Sequence, residues 1–204
     1  MGLRTVVVAT GTANLASVLA GLRRAGAEPV LASQPDEVLE AQAVVLPGVG
    51  TLAAAMEKLR ADGMAEALRE RVAAGRPTLS VCLGLQLLGT ASEESPGVAA
   101  LGIVEGIATR YPETVRVPQM GWNRVEPDRG CRLLRAGWAY FANSYRLVEA
   151  PPGWNVAWSD HAGRFVAAME KGAVLACQFH PELSGELGRG LLSGWVEQAA
   201  RGGA

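Results

Sequence analysis

Apolar residues are distributed along the first half of the chain in two alternating textures. TVVVAT (5–10), EPVLAS (28–33), AVVLPGVG (43–50) and PTLSV (77–81) are short runs read as strands. TVVVAT and PTLSV, continuous and β-branched or apolar, predict strands buried on both faces. Between the runs the period lengthens. ANLASVLAGLRRAG (13–26) carries Leu15, Val18, Leu19 and Leu22 at helical spacing, with Gly26 placed to end the helix. DEVLEA (36–41), TLAAAMEKLRADG (51–63) and MAEALRERVAAG (64–75) read as further helices. Strand–helix alternation of this kind predicts an α/β fold, a doubly wound and mainly parallel sheet flanked by helices.

From about Gly102 the texture changes. IVEGIATR (103–110), WAYFANSYRL (138–147), NVAWSDHAGRFVAAMEKG (155–172) and VLACQFH (174–180) are strand-like and separated by Gly, Pro, Asp and Asn turns. They predict antiparallel hairpins added to the parallel core, with SGELGRGLLSGWVEQAA (184–200) closing the chain as a helix. No linker, low-complexity tract or internal repeat interrupts the pattern, so residues 1–204 are expected to form a single domain.

Composition narrows the chemistry. A hydrophobic content of 49% with 19% charged residues is that of a soluble globular protein, and a formal net charge of −1 favours neither nucleic acid nor an anionic membrane. No apolar run reaches the roughly 20 residues that span a bilayer, and TVVVAT is too short for a secretory leader. Three cysteines without a CxxC pair argue against a disulfide framework or a zinc site and fit a reducing, cytoplasmic setting. With only His161 and His180 present, any imidazole chemistry has two candidates.

One cysteine sits where a structural thiol has no need to be. In SVCLGLQLL (80–88), Cys82 lies between a buried strand and the first turn of a helix, at the strand end where open α/β sheets bind ligands. Ser80-Val81-Cys82-Leu83-Gly84 has the small-x-nucleophile-x-Gly spacing of a sharp nucleophile elbow. A thiol at a helix start feels the positive end of the peptide dipoles, and the Leu83 N–H is free to face an oxyanion. An inert buried cysteine is the alternative.

In QFHPEL (178–183), His180 and Glu182 are two residues apart, so an extended backbone, favoured by Pro181, would project both from one face. A carboxylate beside an imidazole fixes its tautomer and stabilises its protonated form. With Cys82 they make a Cys–His–Glu set; without an elbow they would read as a surface pair. His161, in the polar turn SDHAGR, reads as solvated. LPGVG (46–50) ends another strand, and its glycines let backbone N–H groups approach a ligand, so Gly48 or Val49 is a candidate second oxyanion donor beside Leu83; alone, PGVG would be only a turn.

The PGVG loop, the CLG-x-Q elbow and the HPE pair, in that order over most of the chain, resemble the class I (triad-type) glutamine amidotransferases. NLASV (14–18), LPGVG, CLGLQLL (82–88), VPQMGWN (117–123) and FANSYRL (141–147) are most similar to the glutaminase-subunit family of imidazole glycerol phosphate synthases. The resemblance implies hydrolysis of L-glutamine by Cys82, His180 and Glu182 through a cysteinyl thioester, with no cofactor or metal. It also implies a heterodimer with a (β/α)8-barrel cyclase subunit in histidine biosynthesis, to which the ammonia is channelled. Gln86, Asn143, Ser144 and Tyr145 would hold the glutamine α-amino and carboxylate groups, and Asn14, Trp122 and Asn123 would lie at or near the partner interface. Gln86 as an ordinary helix residue and Trp122 as a core aromatic are the plainer readings.

The chain departs from that pattern at Ser80 (usually glycine), Asn143 (commonly histidine), Leu183 (usually lysine) and Ala13 (glycine), none of them in the triad. Leu183 removes a charge that could pair with the cyclase. A glutaminase for vitamin B6 or anthranilate synthesis, and a regulatory subunit without turnover, are the competing readings.

Overall fold

The computed structural model describes residues 2–10 and 15–202; Ala13 and Asn14 lie outside them. The first half alternates as the pattern predicts: β1 (Leu3–Val7), α1 (Leu15–Arg24), β2 (Ala27–Leu31), α2 (Pro35–Glu40), β3 (Ala43–Gly48), α3 (Leu52–Ala61), α4 (Met64–Ala73), β4 (Thr78–Cys82) and α5 (Leu83–Leu88). The second half contributes β5 (Ala91–Ser92), β6 (Ile107–Arg110), β7 (Gln119–Pro127), β8 (Gly137–Asn143), β9 (Tyr145–Arg146), β10 (Asn155–Asp160), β11 (Arg164–Lys171), β12 (Val174–Cys177), a 3-10 turn (Pro181–Leu183) and α6 (Gly185–Arg201).

Nine strands form one sheet in the order β2-β1-β3-β4-β12-β11-β10-β7-β8. The first five are parallel, and β11, β10, β7 and β8 continue the sheet as antiparallel neighbours. The expected hairpins are therefore extensions of the same sheet. A three-stranded sheet, β5-β6-β9, stands apart. The run 103–110 yields a strand only from Ile107, because Gly106 adopts φ +140, a region open to glycine. The GWN segment lies inside β7, whose alternating burial marks a strand with one face outward.

The parallel centre explains its own sequence. Every residue of β3 and β4 is buried, since helices cover both faces. Ala43, Val45, Leu79 and Val81 face α1 and α6 through Val18, Leu22, Leu191 and Trp195. Val44 and Leu46 face α3, α4 and α5 through Met56, Leu59, Leu68 and Leu85. Each large aliphatic side chain buried here contributes roughly 1.5–3 kcal/mol, which fixes β3 and β4 and hence the loops at their carboxyl ends.

One buried cation joins this framework. Arg71 of α4 is fully buried and donates to the carbonyls of Val38 (2.9 Å), Ala41 (2.7 Å) and Pro77 (2.8 Å) and to Thr78 Oγ1 (3.2 Å). It ties the end of α2 to the start of β4. Arg71→Met would remove all of these buried charged hydrogen bonds at once, so urea denaturation should show a loss of about 2–4 kcal/mol, whereas an unchanged midpoint would contradict this role.

Candidate active site

The end of β4 turns directly into α5 at Cys82, which takes φ +57 and ψ −112. A non-glycine residue there is strained by about 1–3 kcal/mol. The turn closes because its neighbours are small. A methyl group on Gly84 would collide with the Leu46 carbonyl, and one on Gly48 would come within 2.8 Å of Leu83 Cβ. Ser80 is fully buried and accommodated, its Oγ without a hydrogen-bond partner. The helix that follows has six residues, so its dipole is smaller than the sequence pattern suggests.

His180 reaches the sulfur from the neighbouring strand. β12 runs parallel to β4 with Cys177 beside Val81, and the chain beyond it carries His180 to the same sheet edge. His180 Nδ1 lies 2.9 Å from Glu182 Oε1, and both side chains are largely buried. His180 itself is extended, but Pro181–Leu183 forms a 3-10 turn. The expected extended presentation is thus corrected: the turn, started by a proline whose missing N–H costs nothing there, folds the carboxylate back onto the ring. Ser184 Oγ accepts from Tyr140 N (2.9 Å) and donates to the His180 carbonyl (2.6 Å), locking the segment to β8.

Burial by itself pushes the His180 pKa down, but hydrogen bonds to Cys82 and Glu182 and their negative charge reverse this and raise it to about 10. The ring is therefore held as imidazolium at neutral pH, a cation beside the sulfur. Sγ also lies 3.8 Å from the Gln178 side-chain nitrogen and 4.0 Å from the Ala142 carbonyl.

A pocket of about 160 Å³ opens over the sulfur, lined by Val49, Gly50, Cys82, Leu83, Gln86, Glu94, Ala142, Asn143, Ser144 and Tyr145. Four expected binding residues are therefore assembled there. Gln86 Nε2 donates to the Tyr145 carbonyl (3.1 Å) and to Gln178 Oε1 (3.0 Å). Asn143 Nδ2 donates to the same Tyr145 carbonyl and to Tyr111 Oη, 3.0 Å each, and its Oδ1 is buried without a partner. Tyr111 Oη in turn donates to Gln119 Oε1 (2.7 Å). Glu94 was not legible as a site residue. One carboxylate oxygen accepts from Leu52 N (2.8 Å), capping α3 from a distant loop, while Ser95 Oγ accepts from Ala53 N (3.1 Å). This pins the end of the PGVG loop, where Gly50 takes φ +89, to the pocket wall. The only signal in the sequence was an acidic residue in SEES, indistinguishable from a solvated one.

A second opening, about 80 Å³, touches the imidazole and is lined by Ser17, Val18, Pro47, Gly48, Val49, Val81, His180, Glu182 and Leu183. Leu183 is 45% exposed and Trp122 55%, the latter edge-on to Tyr140 at 6.2 Å between centroids. Trp122 is thus no core aromatic. Asn123 is engaged within the subunit, its Nδ2 donating to the Asp160 carbonyl (2.7 Å). His161 lies at the β10–β11 turn, half-buried, Nε2 3.0 Å from the Arg116 carbonyl in an exposed setting and ring edge-on to Tyr111. A larger cavity, about 790 Å³ between β8 and α6, contains none of Cys82, His180 and Glu182.

A nucleophile elbow, an imidazole–carboxylate pair and a polar pocket sized for a small metabolite are the parts that acyl transfer requires. The family model for glutamine amidotransferase class-I matches residues 7–194, and the chain belongs to that family. It is 40% identical over 197 residues to the imidazole glycerol phosphate synthase subunit HisH of Symbiobacterium thermophilum, covering 94% of this chain and 92% of the relative. It is 40% identical to the Escherichia coli K12 protein of the same name, covering 96% of this chain and all of the relative. Among solved structures, a glutamine amidotransferase superposes with TM-score 0.76 at 21% identity, covering 96% of this chain and 98% of that one. PurLQS from Thermotoga maritima superposes with TM-score 0.73 at 17% identity, covering 99% of both chains. These two share the fold.

The two histidines can be titrated separately by NMR. His180 should keep its imidazolium signature well above the ordinary value of about 6.5. Because its folded value is raised, its contribution to stability is fully present below about 6.5 and is lost as pH rises through about 10. In Cys82→Ala the sulfur's contributions vanish while burial remains, so the ring should titrate at lower pH; identical curves would refute the pairing.

Proposed function

We propose that the chain is the glutaminase subunit of an imidazole glycerol phosphate synthase, hydrolysing L-glutamine to glutamate and ammonia for a (β/α)8-barrel cyclase partner in histidine biosynthesis. The observation that carries the chemistry is His180 hydrogen-bonded to both Cys82 and Glu182, with the Cys82 end of this set lining a pocket. The near-full-length similarity to HisH subunits carries the choice of partner.

Substrate binding follows from the lining. The Glu94 carboxylate suits the α-ammonium group. Gln86 spends both Nε2 hydrogens inside the protein, so its oxygen is what it offers, again to an N–H donor. Its expected role for both α-amino and carboxylate narrows to the former. Ser144 and Tyr145 form the wall beside Asn143 and complete the binding set.

The Cys82 thiolate attacks the side-chain amide carbon, and the carbonyl oxygen becomes an oxyanion. Backbone N–H groups of Leu83 and of the Gly48–Val49 loop are the donors for it; Gly48 pairs with Cys82 in the β3–β4 ladder. Imidazolium His180 gives its proton to the departing nitrogen, so ammonia leaves and a thioester remains. Glu182 holds the ring's Nδ1–H and so its tautomer. Neutral His180 then takes a proton from water, whose oxygen attacks the thioester; glutamate departs and the imidazolium–thiolate pair is restored.

Ammonia in bulk water is mostly protonated and no longer nucleophilic, so it needs a covered route. The opening lined by Pro47, Val49, Val81 and Leu183 touches the imidazole, and an apolar wall suits the neutral molecule. Exposed Trp122 and Leu183, with Asn123 beside them and Asn14 outside the described residues, are assigned to the partner-facing region; Leu183 offers apolar contact where a charge is usual.

The test follows glutamate formation and the mass of the Cys82 peptide with a glutamine-analogue electrophile, with and without a barrel cyclase and its ribonucleotide ligand. Expected are weak turnover alone, strong stimulation by the liganded cyclase, and an adduct on Cys82. Cys82→Ala should reduce hydrolysis to below roughly a thousandth while still binding the cyclase. Glutamate formation indifferent to that cyclase would point to another amidotransferase, and none under any condition would sink the enzymatic reading.

A further inference from the structure

Gln178 is fully buried and bridges Cys82 Sγ and the Gln86 side chain, both of which line the pocket. No step of the triad chemistry uses it. Its orientation, however, is dictated by a chain of hydrogen bonds with a single allowed polarity. A backbone carbonyl only accepts, so the Tyr145 oxygen must face the nitrogen of Gln86, at 3.1 Å. The second hydrogen on that nitrogen points to the oxygen of Gln178, at 3.0 Å. With its oxygen committed, Gln178 can turn only its N–H toward Cys82 Sγ, 3.8 Å away. Flipping Gln86 would set its oxygen against the Tyr145 carbonyl oxygen, and flipping Gln178 alone would set nitrogen against nitrogen.

We propose that Gln178 is a further catalytic residue, a neutral hydrogen-bond donor to the Cys82 sulfur, kept in that sense by the Tyr145 carbonyl acting through Gln86. This deepens the glutaminase reading of the same site and rests on it. An N–H donor favours the thiolate over the thiol, and a buried donor acts in a medium that strengthens it. His180 must give up its proton during the reaction; Gln178 does not. The sulfur therefore keeps one donor throughout, when it is expelled from the thioester as well as when it attacks. The relay also begins in the pocket wall: the Tyr145 carbonyl additionally accepts from Asn143 Nδ2 at 3.0 Å, so a ligand that shifts this segment shifts the donor at the sulfur.

The test reads the sulfur without turnover. The rate of alkylation of the Cys82 peptide by iodoacetamide is followed against pH in the full-length chain, Gln178→Met and Gln178→Glu, with circular dichroism as the check on folding. Both variants should move the midpoint to higher pH, Gln178→Glu further, and lower the rate at pH 7 by about ten- to a hundredfold, as loss of a hydrogen bond to a charged group does. In glutamine hydrolysis, kcat should fall more than KM rises. A merely structural Gln178 would change stability and leave the midpoint in place, and a folded Gln178→Met with the wild-type midpoint overturns the proposal. Should neither variant fold, NMR of the wild-type chain with labelled glutamine side chains decides. Alkylating Cys82 should shift the Gln178 amide protons, assigned by through-space contacts to Gln86 and Cys82; unmoved resonances overturn the proposal. Wild-type chain that alkylates as expected but never hydrolyses glutamine would defeat the glutaminase reading instead.

Discussion

Cys82 faces the pocket because the chain reverses through φ +57 between β4 and α5, and that reversal is possible because two glycines leave room for it. Gly84 lies against the Leu46 carbonyl, and Gly48 packs on Leu83. Both contacts join β3 to the first residues of α5, and β3 pairs with β4; the two strands are buried along their whole length. Local strain of about 1–3 kcal/mol is thus absorbed by the most rigid part of the molecule. The same ladder that holds the turn places the PGVG loop beside the sulfur, so nucleophile and candidate oxyanion donors share one support.

The other components approach this fixed point from the second half of the sheet. β12 lies parallel to β4 on the side opposite β3, delivering Gln178 and His180, and the 3-10 turn after His180 brings Glu182 back to the ring. β8, at the edge of the antiparallel extension, ends at Asn143, and Tyr145 follows in β9 of the separate three-stranded sheet. The sulfur therefore sits where parallel core and antiparallel extension meet. Its surroundings are polarised in one direction. His180 is held protonated against its own burial, Gln178 presents a donor, and Gln86 and Glu94 line the pocket beyond.

Much of this was legible because it is local. The apolar runs and helical periods mark the strands and helices of the first half, and Ser80–Gly84 shows the elbow, since steric demands at a sharp turn act within five residues. His180 and Glu182 were legible as a pair, although their presentation was misjudged: extended spacing suggests one shared face, whereas Pro181 starts a 3-10 turn. Long-range contacts were not legible. Glu94 caps a helix 42 residues away, and Gln178 meets Cys82 across 96 positions; neither residue carries a local pattern that tells it from an ordinary polar side chain. Trp122 resisted for another reason, since a tryptophan on a strand with one outward face is core or surface according to register. The 204-residue pattern also hid that the hairpins continue the main sheet, because strand pairing order leaves no local trace.

The claim beneath all of this is that the strained turn makes Cys82, among three free cysteines, the atom that receives the glutamyl group. Acid quenching during turnover of carbon-labelled glutamine by the cyclase complex, followed by peptide mass analysis, tests it directly. The account predicts label bound as a thioester on the peptide containing Cys82. Label on the Cys131 or Cys177 peptide, or steady hydrolysis with no bound label under conditions that accumulate the intermediate, would contradict it.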